Sequence, residues 1–437
     1  MKKYDSYKDS GVEWIGEVPT HWGVDILNRI FKINTGFTPS TSNNEFYENG
    51  EHDWITIRDL DGKYVSESKT KLTDIAVKGK TITPKGSLLY SFKLSVGQMA
   101  FTTKDIYTNE AIFSVFPSEK LNLNYYYYLL DRILIHNSNE NIYGAKILNQ
   151  ELIKASKLLV PSEEEQTTIA NYLDHKTTQI EHLIAKKERF IQLLEEERVA
   201  VINQAVTKGL DPSVPMKDSG IEWLGEIPEH WEVNKIKSVT KKIGSGVTPK
   251  GGAEIYELTG IPLLRSQNVY FDGFRLDNVA YITREIHDSM KNSQVLLGDV
   301  LLNITGGSIG RCFYVTNEFE EANVNQHVCI VRPNERIITE FLYYVLSSTI
   351  GQQQIDLCQT GGNREALNFE QLKNFFLILP SIDEQHEIVE KLNKSLNAIS
   401  LTIEKSRKEI DLINEYKTAL ISEVVTGKVD VRNEKLN

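Results

Sequence analysis

The chain has 437 residues, with 49 Lys and Arg against 60 Asp and Glu, a formal net charge of −11. That length exceeds what one hydrophobic core usually serves, so two or more domains are expected. No apolar run reaches membrane-spanning length, and Met1-Lys2-Lys3-Tyr4-Asp5 turns polar with no apolar stretch behind it, so neither a membrane-spanning helix nor a signal peptide is expected.

In chain order the first feature is a short element, KDSGVEWIGEVPTHWGV, over residues 8–24. Gly/Pro/Asn-rich turns then alternate with β-branched and aromatic runs that predict strands, such as Asp53-Trp54-Ile55-Thr56-Ile57 and Ser87 to Phe92. A short helix is expected near Tyr125–Ile135. PSEEEQ opens at Pro161 and fits a capping box, in which Ser162 and Glu165 satisfy free amides at a helix start. The apolar spacing of three and four that follows (Ile169, Leu173, Ile180, Ile184, Ile191, Leu194, Val201, Ala205) predicts one long helix ending at Gly209.

The whole order then recurs. KDSGIEWLGEIPEHWEV occupies residues 217–233, a shift of 209 residues, and PSIDEQ opens at Pro380, a shift of 219. Between lie a strand candidate at Val300–Ile304 and a helix candidate near Glu340–Ser348. The second stripe runs Ile388, Leu392, Ile399, Ile403, Ile410, Ile413, Leu420, Val424 and ends near Gly427. The expected organisation is a first domain over 1–160, a helix over 161–210, a second domain over 211–379, a helix over 380–427 and a tail over 428–437. The fold class is α+β, with two tandem mixed α/β domains each followed by a long helix. Each helix has roughly 40 residues, about 60 Å, and such a stripe needs a long partner. The other copy offers one of equal length, through Ile180, Ile184, Ile191 and Leu194 against Ile399, Ile403, Ile410 and Ile413. The natural outcome of duplication is an antiparallel coiled coil with pseudo-twofold symmetry, with the chain's two ends, around Lys8 and Val429, close together. Packing of each stripe along its own domain is the competing reading.

Catalytic signatures come up empty. Gly244-Ser245-Gly246-Val247-Thr248-Pro249-Lys250 lacks phosphate-loop spacing, and Gly306-Gly307-Ser308-Ile309-Gly310 reads as a turn. Asp211-Pro212-Ser213-Val214 is not the tetrapeptide an amino-methyltransferase needs. Asp53 or Asp59 with Glu67 and Lys69 is the best carboxylate set for a Mg²⁺ nuclease, but such spacing arises readily in a charged chain. The three cysteines, Cys312, Cys329 and Cys358, are odd in number and lack metal-ligand spacing, and the nine histidines are scattered. Reduced thiols in a cytoplasmic protein, with no metal site, are the expectation.

The negative charge works against phosphate contact, so a nucleic-acid role needs local patches or a partner's cations. Residues 233–253 hold five lysines before the next acidic residue, Lys241, Lys242 and Lys250 among them, on a segment that turns Gly-rich from Ile243. A phosphate-facing loop and a solvated lysine face are both open readings. Arg265, Arg311 and Arg364 are further candidates, and in the first copy Arg58, Lys93 and Lys146 fall at roughly corresponding places. Arg, Asn and Gln are the side chains that read guanine and adenine edges.

Together these pieces resemble a known family. The Gly-x-Glu-Trp-Ile/Leu-Gly-Glu-x-Pro-x-His-Trp element, at Gly11–Trp22 and Gly220–Trp231, with the Pro-Ser…Glu-Gln helix start at Pro161–Gln166 and Pro380–Gln385, is similar to the specificity subunits of type I restriction–modification systems. The resemblance implies that each globular part is a target recognition domain reading half of a split, asymmetric site in double-stranded DNA. It implies that the helices are spacers that dock two modification (methyltransferase) subunits, and through them restriction (nuclease and translocase) subunits. S-adenosylmethionine, ATP and Mg²⁺ would belong to those partners, leaving this chain without cofactor or catalysis. The alternative is a non-catalytic scaffold with a coiled coil and two peptide- or glycan-binding domains.

Overall fold

The computed structural model of the chain describes residues 2–93, 95–136, 139–140, 146–359 and 366–435. It divides into two units, Met1–Lys187 with Lys408–Asn437, and Glu188–Arg407. Each unit holds one globular copy and a segment of both long helices.

In the first unit the strands Ile33–Thr35, Ile112–Val115, Leu88–Ser91, Met99–Thr102 and Tyr64–Val65 form one sheet in that order. Tyr107–Thr108, His52–Ile55 and Lys71–Leu72 form a smaller one. The second unit repeats the plan. Thr240–Ser245, Val328–Pro333, Val300–Asn303 and Cys312–Tyr314 make the larger sheet, and Ala280–Ile282, Ile261–Leu264 and Asn323–Val324 the smaller. The central strands Leu88–Ser91 and Val300–Asn303 are buried along their full length, as their continuous apolar runs require. The helices Leu123–His136 and Thr339–Ser347 cover the larger sheets with Tyr125, Tyr126 and Leu130, or Phe341, Leu342 and Leu346, all fully buried.

The twice-occurring short element is a docking device. Tyr7–Asp9 pairs antiparallel with Glu17–Pro19, and Met216–Asp218 pairs with Glu226–Pro228 in the same register. Trp22 and Trp231, one residue after the histidine, are completely buried. The capping box is half realised. Ser162 and Ser381 accept from the amides of Glu165 and Glu384 at 3.3 Å, as expected. The glutamates do not reach back to the cap. Glu165 instead takes the Tyr4 hydroxyl at 2.7 Å and His21 at 2.9 Å, while Glu384 takes Trp231 Nε1 at 2.9 Å and His230 at 3.2 Å. The physical reason is burial: the Tyr4 hydroxyl in the first copy and the Trp231 indole in the second take their acceptor from the helix start. The next residue is equally committed. Gln166 donates to Pro161 O and accepts from Asn122 N, and Gln385 donates to Pro380 O and accepts from Ile338 N. One amide thus ties the start of the long helix to the start of the sheet-covering helix.

The long helices are Glu163–Lys208 and Ile382–Val425, 46 and 44 residues. At 1.5 Å per residue each is about 65–70 Å long. Gly209 and Gly427 follow their ends at φ 74° and 72°, a backbone state that suits glycine at a helix terminus. In the first unit Lys417 reaches Glu181 at 2.6 Å and Lys187 reaches Glu409 at 2.5 Å. In the second unit Arg407 reaches Glu195 at 3.3 Å and Arg198 reaches Ser400 at 2.6 Å. Within each unit the numbers rise along one helix as they fall along the other, so the pairing is antiparallel. Ile191, Leu194, Leu396, Ile399 and Ile403 form a seam between the helices alone. Nearer the first domain, Ile180, Ile184 and Ile413 join its core together with Leu420 and Val424, and Ile410 is half-buried. The two competing readings of the stripe are therefore each true over part of its length: partner helix in the middle, domain core towards the ends. The chain's ends meet as expected. Asp430 N donates to Lys2 O at 2.8 Å, and the Arg432 guanidinium lies 4.8 Å from the Tyr4 ring, inside the first unit.

Candidate nucleic-acid interface

One end of each pair of sheets gathers polar loop tips, built by the same backbone register in both copies. In the first unit Asn109 N donates to Ile55 O and Gly97 N to Ser91 O. In the second, Asn325 N donates to Leu264 O and Gly310 N to Asn303 O. Gly36 and Gly246 lie so close to the facing strand that an added Cβ would sit 2.0 Å from Thr108 O and 1.7 Å from Val324 O. No other residue fits there, and the Thr-Pro pair two residues later, Thr38-Pro39 in the first copy and Thr248-Pro249 in the second, is held at the rim. Short turns cap the strands His52–Ile55 and Ile261–Leu264 in both copies: Asp59 Oδ2 accepts from Thr56 N at 2.8 Å, and Asn268 Oδ1 from Arg265 N at 3.0 Å.

Among the candidates in the second unit, Lys250 is exposed on the loop after the Thr-Pro pair, and Arg311 stands at the tip beyond Gly310. The Arg311 guanidinium lies 4.7 Å from the Tyr270 ring, whose other cation is Arg275 at 4.8 Å. Arg265 packs over Tyr256 and donates to Asn278 O at 3.1 Å. Lys241 and Lys242 stand apart on the strand Thr240–Ser245. Lys241 pairs with Glu335 at 3.6 Å, and Lys242 donates to Asn292 O at 2.6 Å. Burial and the neighbouring Arg332 pull the Lys242 ammonium below its usual range. Arg364 lies outside the described residues, as does the side chain of Lys146 on the strand Lys146–Ile147.

In the first unit Arg58 is exposed on the turn Ile57–Asp59, and Lys93 is exposed beside the Phe92 ring. The hydrogen-bond register refines the correspondence between copies. Counting from Ile55 and Leu264, Arg58 stands where the second copy has Gln267. Counting from Gly97 and Gly310, the partner of Arg311 is Gln98; counting forward from Ser91 and Asn303, Lys93 stands where the second copy has Thr305. Gln98, Gln267, Glu110, Gln326 and His327 are exposed or half-buried at these tips and escaped the sequence reading, which searched for cations. No single offset pairs them, since 264 − 55 = 209 at one tip and 325 − 109 = 216 at another.

The carboxylates considered for metal chemistry serve structure. Asp53 takes Lys104 at 2.7 Å and Ser68 N at 3.1 Å, while Asp59 caps the turn at Thr56. Cys312 and Cys329 are buried free thiols, Cys329 pushed up to about 12 by burial. Among the described residues no group of three His, Cys, Asp or Glu could hold a metal ion, and no helix is long and apolar enough to cross a membrane.

One scaffold used twice, with matching frames and divergent tips, defines a tandem-repeat protein with two sets of recognition loops. The family model for the type I restriction modification DNA specificity domain matches residues 19–189 and 228–412, and the chain belongs to that family of specificity subunits. It is 28% identical over 376 residues to the type I restriction enzyme EcoBI specificity subunit of Escherichia coli, covering 81% of this chain and 78% of the relative. It is 24% identical over 433 residues to the MjaIX specificity subunit of Methanocaldococcus jannaschii, covering 95% of each. Among solved structures, a chain from a study of assembly and conformational transition of the type I R-M system shares the fold at TM-score 0.72 and 13% identity, over 94% of this chain and 99% of that one. The HsdS subunit from Thermoanaerobacter tengcongensis does so at TM-score 0.56 and 14% identity, over 94% and 98%.

Proposed function

We propose that this specificity subunit reads a bipartite, asymmetric, gapped site in double-stranded DNA, one half-site per domain. The domains are assigned to residues 1–160 and 211–379, with spacer helices over 161–210 and 380–427. In the same reading the helices dock two methyltransferase subunits in the cytoplasm, and through them the restriction subunits. S-adenosylmethionine, ATP and Mg²⁺ act in those partners.

The observation that carries this reading is the pair of equivalent rims. Gly36 and Gly246, Gly97 and Gly310, and Asn109 and Asn325 hold the same backbone, yet the tips differ as Arg58 against Gln267 and Gln98 against Arg311. Identical frames with different donors and acceptors suit two unlike half-sites. The net charge of −11 fits a subunit whose partners provide much of the phosphate contact.

The test is genome-wide mapping of methylated bases in cells supplying the modification subunits, with and without this chain. Methylation at one gapped, asymmetric motif that vanishes without the chain is expected. An unchanged pattern with an active methyltransferase would leave the scaffold reading instead.

A further inference from the structure

The same register that equates the rims places Glu110 of the first domain and Gln326 of the second at one position. Each follows the asparagine whose amide binds the smaller sheet, at Ile55 O or Leu264 O. Each is exposed, and each accepts a hydrogen bond from the threonine of the Thr-Pro landmark, Thr38 Oγ1 to Glu110 Oε2 and Thr248 Oγ1 to Gln326 Oε1. Two side chains of nearly equal shape, held by the same anchor at the same place, differ only in hydrogen-bonding character.

That difference is chemical information. Glu110 accepts and does not donate; the Thr38 hydrogen bond, with help from the charge of Lys93, holds its carboxyl below the usual carboxylate range. An anion beside phosphates is unfavourable unless it meets a donor, and cytosine N4 is the donor that Glu reads in the major groove. Gln326 both donates and accepts. Its Nε2 lies 3.0 Å from His327 Nε2, and His327 Nδ1 lies 2.6 Å from Thr305 Oγ1. An amide proton given to Nε2 places the ring proton on Nδ1, where it donates to Thr305. The chain Thr248, Gln326, His327, Thr305 holds the plane of the amide, and either sense of the chain occupies one amide proton and one carbonyl lone pair or their equivalents. One amide proton and one carbonyl lone pair remain for a ligand, the pattern complementary to adenine N7 and N6.

We propose that Glu110 and Gln326 are one base-reading position used twice, Glu110 demanding cytosine in its half-site and Gln326 adenine in the other. This rests on the DNA-reading function above. The test uses the full chain assembled with its modification subunits, carrying Glu110→Gln, Glu110→Ala or Gln326→Glu, with methylated motifs mapped genome-wide and confirmed by competition between duplexes altered one base pair at a time. Glu110→Gln is expected to shift base preference at a single position of one half-site by about tenfold or more, the discrimination one bidentate contact supplies. Gln326→Glu is expected to do so at a single position of the other half-site, and Glu110→Ala to relax the first position towards all four bases. Retention of the original preference at every position by all three variants overturns the proposal. So does a loss of methylation spread evenly over all positions. Absence of any motif with the unaltered chain would instead overturn the DNA-reading function itself, a distinguishable failure.

Discussion

Arg311 and Lys242 look alike as cations in the sequence, and their surroundings separate them. Arg311 stacks half-buried on Tyr270 beside the loop Gly306–Ser308, whereas Lys242 donates to the Asn292 carbonyl. Arg311→Ala is expected to lower the preference of the assembled complex for its target over random DNA by about 1–3 kcal/mol, the value of one good base contact. Lys242→Ala should leave that ratio nearly unchanged. Competition binding against non-specific duplex decides both, and equal effects would remove Arg311 from the interface. Asp430 offers a residue-scale test of pH. The Arg432 guanidinium, hydrogen-bonded to both its oxygens at 2.9 and 2.8 Å, holds its carboxyl below the usual range despite burial. A depressed folded-state pKa stabilises above the ordinary carboxylate range near pH 4, and that stability fades as pH falls through the lower folded value. Asp430→Asn should cost about 1 kcal/mol at pH 7, modest because Arg432 is partly exposed, and the difference from the parent should close as pH falls below the ordinary carboxylate range. Denaturation at several pH values reads this; a pH-independent difference would count against the pair.

At the scale of the element, the long helices are held by a narrow seam rather than by helix propensity, since one face of each is solvated. Ile403, 6% exposed, sits in the seam with Leu194 and Ile399, and Leu401, 58% exposed, stands on the opposite side. Ile403→Ala is expected to destabilise by about 2–4 kcal/mol through lost burial and the cavity left behind. Leu401→Ala should stay within about 0.5 kcal/mol. Urea midpoints with unchanged slope test the pair, and equal midpoints would contradict the seam. The salt bridges beside it, such as Arg407 with Glu195, are exposed and add little.

For the whole molecule, the proposed function makes helix length a ruler for the gap between half-sites. Inserting about four residues in each long helix adds about 6 Å of rise. At about 3.4 Å per base step, the methylated motif should gain nearly two base pairs of spacer while both half-sites keep their bases. An unchanged spacer would refute the ruler. The meeting of residues 2 and 430 in the first unit explains why the tail belongs to the fold: it supplies there what the unbroken chain around Asp211 supplies in the second copy.

The amino-acid sequence by itself determined the duplication, the α+β class, the helix stripes and the closeness of the chain's ends, because repetition and periodicity are local or self-referential signals. Ser162 and Ser381 announced the helix starts, and Gly209 and Gly427 their ends. Only the tertiary structure decided what Glu165 and Glu384 do, since their partners Tyr4, His21 and Trp231 are brought by long-range packing. It also decided which rim residues are equivalent. Glu110 and Gln326 carry no cationic signature, and their kinship rests on backbone hydrogen bonds to strands that are distant in sequence. Side chains that recognise a ligand are chosen by where loops converge, and convergence is a property of the folded chain.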